Sequence, residues 1–117
     1  MVVRRAYVPE WGDVVWLQFD PRAGHEQAGR RPALVVSPRA YNRKVGLALF
    51  CPVTSQAKGY PFEVPLQPGG KLEGVVLSDQ IKSLDWRARS ASRITRASRD
   101  VMDQVIARIV ALVDVEP

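Results

Sequence analysis

Cysteine and histidine are nearly absent from this chain, with one residue of each, Cys51 and His25. One cysteine cannot close a disulfide within the chain, and one cysteine with one histidine argues against a protein-bound transition metal. No run approaches the ~18 apolar residues of a membrane-spanning helix. The first ten residues, MVVRRAYVPE, lack the apolar core of a secretory leader. A cytoplasmic protein with no membrane part is expected, and the missing disulfides agree with a reducing compartment. No glycine-rich loop opens a helix, so nucleotide hydrolysis by a P-loop is not expected. Internal repeats, linkers and low-complexity segments are also missing.

What is present is positive charge. Seventeen Lys and Arg face twelve Asp and Glu, leaving +5 at neutral pH, and thirteen of the seventeen are Arg. Guanidinium forks pair bidentately with phosphate and stack on bases, so this balance suits a nucleic-acid partner. It equally suits an acidic protein partner. The length of 117 residues favours a single domain spanning residues 1–117. A chain of this size buries roughly two-thirds of its unfolded surface, enough for one core without metals or disulfides.

The hydrophobic pattern reads as short strands followed by one helix. Residues 1–12 form an irregular lead-in broken by Pro9 and Gly12. Val14 to Phe19 is a strand, ended by Asp20-Pro21. A loop spans Arg22 to Arg31. Ala33 to Ser37, ALVVS, is the continuous apolar run of a strand covered on both faces. A polar loop from Arg39 to Lys44 precedes a third strand, Leu47 to Val53. The polar loop TSQAKGYP over residues 54–61 leads to a short strand, Phe62 to Leu66, and QPGGKLEG is a loop tip. Val75 begins a fifth strand that bends near Asp79. Residues 82–99 are the most basic stretch; on a strand, Arg87 and Arg89 would share a face. Val101, Val105 and Ile109 recur at intervals of four, giving a helix from about Arg99 to Val113 with Ser98 as N-cap. A small, strongly bent sheet or barrel with a terminal helix packed against it follows.

The chemistry-bearing groups gather in GHEQAGRRP, Gly24 to Pro32, which holds His25, Glu26, Gln27, Arg30 and Arg31 between two apolar runs. Metal-free cleavage of an RNA phosphodiester needs a group to take the 2′-hydroxyl proton. It also needs donors to hold charge on phosphorus and an acid for the leaving oxygen. Glu26, Arg31 and Thr54 all flank strand ends and supply a carboxylate, a cation and a hydroxyl. On these residues alone a solvated charged turn is the simpler reading. Cys51, inside an apolar run, reads as core. Trp16 and Trp86 read as core rather than base-stacking platforms. For Arg93, Arg96 and Arg99 a solvated basic face and an RNA surface are equally open.

Longer motifs occur in a fixed order: YVPEWGD, FDP, G-x-EQAG-x-RPALVVSP, YN-x-K-x-G, T-x-QAKGYPFEV and SDQIKSLDWRAR. In this series the chain resembles the MazF/PemK family of toxin ribonucleases, over most of residues 7–89. The resemblance implies a mainly-β, small SH3-like barrel of MazF/PemK/CcdB type with a C-terminal α-helix, assembled as a homodimer. It implies an endoribonuclease, part of a type II toxin–antitoxin system, cutting single-stranded RNA at short defined sequences without metal or other cofactor. The products would be 2′,3′-cyclic phosphate and 5′-hydroxyl ends. The partner implied is a small antitoxin of MazE type, whose acidic and apolar tail blocks the RNA groove.

Carried over motif by motif, the resemblance makes Glu26, Arg31 and Thr54 catalytic. It makes His25, Gln27, Lys58, Lys82, Arg87 and Arg89 RNA contacts, with Arg30 exposed and secondary. The near-neutral reference pKa of histidine suits an acid or base, but the position of His25 varies among relatives and an RNA or solvent contact is preferred. Bases would be read by residues 39–44, 54–60 and 67–73 together with 82–89. Two other functions fit a chain of this size and charge less well. A relative of the same barrel poisons DNA gyrase by binding it, yet such a protein has no need of the Glu/Arg pair. A plain SH3-like adaptor needs an aromatic-lined groove, and only nine aromatic residues are present.

Overall fold

The computed structural model describes residues 6–19, 29–67 and 70–116. Among these, seven strands form an antiparallel sheet in the order β4-β5-β3-β2-β1-β7, with β6 also paired to β3. The strands are β1 (Asp13–Phe19), β2 (Gly29–Val35), β3 (Leu47–Thr54), β4 (Glu63–Pro65), β5 (Val75–Leu77), β6 (Lys82–Asp85) and β7 (Ser92–Arg96). Helix α1 (Arg39–Val45) joins β2 to β3, and α2 (Arg99–Val113) ends the fold. The mainly-β architecture with a terminal helix is therefore as the sequence implied.

Strand β3 is the hub. One edge pairs with β2, from Ala33↔Pro52 to Val35↔Phe50. The other edge is shared, by β6 along Leu47–Phe50 and by β5 at Val53 and Thr54. A register shift between Val14 and Val15 in the β1–β7 pairing adds local bend. Alternation along the strands divides the core in two. Val14, Leu34, Cys51, Val53 and Val76 lie under α2 with Val101, Met102 and Val105. Val15, Leu17, Ala33, Val35 and Phe50 face the other way and are closed by Trp86, with Tyr7 and Val8 packed beside them. This explains the unbroken apolar run of β2, which is covered on both faces.

The terminal helix has the expected bounds. The Ser98 side chain accepts a hydrogen bond from the Val101 N–H at 3.2 Å, the arrangement of an N-cap. Cys51 is buried core, and burial, with Asp79 nearby, pushes its thiol up to about 12. Among the described residues, no helix is long and apolar enough to cross a membrane.

Four expectations need correction. Residues 39–44 form most of helix α1 rather than a loop; at seven residues the helix is too short to carry a periodic pattern. Its stability comes from Asn42, which is fully buried. The Asn42 amide donates to Pro9 O and Ser37 O, its Oδ1 accepts from the Ser37 hydroxyl at 2.6 Å, and its carbonyl accepts from Trp86 Nε1. Second, β2 begins at Gly29, so Arg30, Arg31 and Pro32 lie inside a strand paired to β1. Third, Trp16 is 39% exposed although Trp86 is buried as expected. Trp16 shares the face of Val14 but lies two residues further along β1, past the cover of α2. Fourth, the two alternatives left open for Arg93 and Arg96, a solvated face or an RNA surface, lacked a partner that the structure supplies, although the side chains stay 51% and 55% exposed. Both guanidinium groups approach the buried carboxylate of Asp13, which also accepts from the Tyr7 hydroxyl and the Glu10 N–H. Arg99 pairs with Asp103 and lies over the Trp11 ring.

Candidate active site

Arg31 and Thr54 lie 23 positions apart in the chain, on β2 and β3, which pair with each other. Arg31 pairs with Leu17 on β1, and Thr54, the last residue of β3, pairs with Val75 on β5. Each lies two residues past Ala33↔Pro52, where the β2–β3 pairing ends. By parity both share the face of Ala33 and Phe50, away from α2. Arg31 is exposed. The Thr54 Oγ accepts a hydrogen bond from the Gln56 N–H at 3.2 Å, which leaves its own O–H to donate outward. Gly74 makes this corner possible. It has φ +145°, and a Cβ there would meet the Thr54 carbonyl oxygen at 2.6 Å.

Glu26, His25 and Gln27 lie outside the described residues. The chain leaves and returns to this segment at one place, because Phe19 and Gly29 are partners in the β1–β2 ladder.

The loop after Thr54 is organised by a residue the sequence reading passed over. The Glu63 carboxylate accepts from the backbone N–H groups of Lys58, Gly59 and Tyr60 at 3.1–3.3 Å. Three successive amides around a carboxylate form an anion nest, and it fixes the backbone that carries the exposed Lys58. Glu63 stood in the quoted motif T-x-QAKGYPFEV, which was the only available sign. Arg108 on α2 ties the same segment down by donating to Pro61 O. Asp79 close to Tyr60 raises the pKa of its exposed phenol.

The basic stretch folds back onto the β1–β2 end. The Arg89 guanidinium donates to Gln18 O at 3.0 Å, and the Gln18 N–H donates to Arg89 O. Arg30, whose Cα partner is Gln18, donates to Ser90 O and Ser92 Oγ. Arg87 and Arg89 lie in the turn between β6 and β7, so strand parity does not apply to them. Arg87 is exposed and sits over the Trp86 ring at 5.1 Å. Lys82 begins β6 and pairs with Phe50, midway along β3. Among the described residues, no group of three or more His, Cys, Asp or Glu side chains could hold a metal ion.

Arg31 and Thr54 on paired strands and a basic turn after β6 belong to a small, mainly antiparallel β protein with a terminal helix. Residues 10–113 match the family model described as PemK-like, MazF-like toxin of type II toxin–antitoxin system. The Endoribonuclease toxin MazF of Escherichia coli (strain K12) is 49% identical over 107 residues, 92% of this chain and 96% of that protein. The crystal structure of MazF (Form-I) from Deinococcus radiodurans superposes with a TM-score of 0.90 at 54% identity, covering 94% of this chain and 100% of that one. MazF in the MazE-MazF (Form-II) crystal structure from the same organism gives 0.85 at 53% identity, covering 95% and 100%. The chain belongs to the PemK-like, MazF-like toxins of type II toxin–antitoxin systems.

Proposed function

We propose that this chain, an endoribonuclease toxin of a type II toxin–antitoxin system, acts as one domain over residues 1–117 that cuts single-stranded RNA at short defined sequences without metal. The observation that supports the reading is that the paired strands β2 and β3 carry Arg31 and Thr54 each two residues past Ala33↔Pro52.

In the proposed reaction, Glu26 takes the 2′-hydroxyl proton as that oxygen attacks phosphorus. Arg31 braces the non-bridging phosphate oxygens with a bidentate fork. Thr54 donates its hydroxyl hydrogen to the same phosphate. The P–O5′ bond breaks, and the leaving oxygen takes a proton from water or from a donor that Arg31 orients. Arginine itself is a poor acid, with a pKa above ~12. The products are a 2′,3′-cyclic phosphate and a 5′-hydroxyl. His25, Gln27, Lys58, Lys82, Arg87 and Arg89 contact the RNA on either side, and translation stops as messages are cut. The active form is a homodimer. The partner is an antitoxin of MazE type, whose acidic tail covers the same cationic groove; this rests on the MazE-MazF complexes of similar chains.

The test is incubation of the purified protein with a long RNA in EDTA. Discrete fragments with cyclic-phosphate ends are expected, with Glu26→Gln and Arg31→Ala each at least ~100-fold slower. Wild-type rates in both variants would remove the assignment. Intact RNA with tight binding would point to a non-catalytic toxin of the same fold.

A further inference from the structure

At the far end of β3 from Thr54 lies a cleft of about 440 Å³, lined by Arg43, Lys44 and Gly46 from the end of α1 and by Asp85, Trp86 and Arg87 from the end of β6. We propose that it binds a phosphate of the single-stranded RNA substrate, well away from the cut, and so lengthens the footprint of the enzyme. This rests on the ribonuclease reading above.

Three cations line the cleft against one carboxylate. That carboxylate is turned into its own loop, since Asp85 Oδ1 accepts from the N–H groups of Arg87 and Ala88 at 3.1 and 2.9 Å. The partial negative charge at the end of α1 is offset by Arg43 and Lys44 in its last turn. Arg87 lies over the Trp86 ring, and the indole is itself fixed by its bond to Asn42 O. Stacking occupies the flat face of a guanidinium and leaves its N–H edge for an oxyanion. Gly46, with φ +80° and nothing within 4 Å of a Cβ, keeps the cleft wall low.

Position favours a nucleic-acid strand. The cleft adjoins Leu47, at the start of β3, and Thr54 ends it. Seven residue steps of strand span roughly 23 Å. Lys82, opposite Phe50, lies between the two ends. Cationic stations therefore line up along one strand at intervals of roughly 10–13 Å, wider than one nucleotide step, so they would meet phosphates that are not adjacent. Small barrels commonly track single strands of about 4–16 nucleotides in this way.

Two measurements test the cleft. Binding is read by anisotropy with a 2′-O-methyl oligonucleotide of about 16 nucleotides, which lacks the attacking hydroxyl. Arg43→Gln/Lys44→Gln should weaken it roughly tenfold and lower the slope of log affinity against log salt by about 0.7, for one phosphate contact. Arg99→Gln on α2, which also removes an exposed cation, should leave that slope near the wild-type value. In cleavage, wild-type kcat/KM should favour a long RNA over a short one, and the cleft variant should lose that preference. An unchanged slope in the cleft variant, or an equal loss in the α2 variant, overturns the proposal. So does a cleft variant that loses affinity only for an acidic peptide. Wild-type protein that binds but does not cut would refute the ribonuclease reading alone, because the anisotropy still reports on the cleft.

Discussion

A single methyl group at Gly74 should disable the proposed site without touching any proposed catalytic side chain. The Cβ of Gly74→Ala would lie 2.6 Å from the Thr54 carbonyl oxygen and 3.2 Å from both the Thr54 carbonyl carbon and Val53 Cγ1. Ordinary contact begins near 3.4 Å, so the strands must separate by about 0.8 Å at that point. Neither neighbour can yield alone. Thr54 pairs with Val75, and Gly74 O accepts the Leu66 N–H at 2.9 Å, so β3, β5 and the end of β4 move together. The backbone at φ +145° adds strain of about 1–3 kcal/mol. At about 4 °C per kcal/mol, Tm should fall by about 4–12 °C. A displacement near 1 Å at a phosphate-holding hydroxyl costs on the order of 100-fold in rate. Melting followed by circular dichroism, with initial rates on a short fluorogenic RNA below the transition, separates the two effects. Gly46→Ala is the comparison: it has φ +80° but open space around a Cβ, so it should show only the left-handed penalty of about 1–2 kcal/mol. If Gly74→Ala melts within ~2 °C of the wild type and cuts RNA at its rate, the close approach to Thr54 carries none of the weight given to it.

Asn42→Ala should cost about 3 kcal/mol or more in urea denaturation, because it removes a buried amide and strands the Ser37 hydroxyl and Pro9 carbonyl; a loss under ~1 kcal/mol would show the network to be slack. Glu63→Gln should free the amides of residues 58–60, seen as faster hydrogen exchange there. KM for RNA should rise several-fold more than kcat falls, and unchanged exchange would refute the clamp. The Cys51 thiol is raised to about 12 when folded, against an ordinary value of 9.0. Its contribution is complete below pH ~9 and is lost as pH rises towards ~12, at about 1.4 kcal/mol per pH unit. Tyr7, also raised, adds to the loss above its ordinary value of 10.0. Denaturation midpoints across that range should fall more gently in Cys51→Val; parallel curves would contradict the assignment.

Most of the fold was legible because burial leaves a local signature. The recurrence of Val101, Val105 and Ile109 marked α2, and the bounds in the structure agree with it. The unbroken apolar run of β2 announced two covered faces, and both cores confirm it. Cys51 and Trp86 were rightly read as interior. The failures share one cause. Helix α1 is specified by one buried asparagine reaching Pro9, Ser37 and Trp86, and no window of seven residues encodes such contacts. Arg93 and Arg96 looked like surface charge because their partner, Asp13, lies some 80 residues earlier. Trp16 looked like core because periodicity does not say where the covering helix stops.

By itself, then, the sequence determined composition, charge, the order of strands and terminal helix, and the motif series that marks the toxin family. These depend on residue type and near-neighbour spacing. The juxtapositions were decided by tertiary structure: the pairing of β2 with β3, whose ends carry Arg31 and Thr54, Arg89 bonded to Gln18, Glu63 inside the nest of residues 58–60, and a cationic cleft where α1 meets β6. Each depends on which strands pair and in what register. That is fixed by the simultaneous packing of both faces of one bent sheet, because a slip of one residue would turn every side chain of a strand to the wrong face.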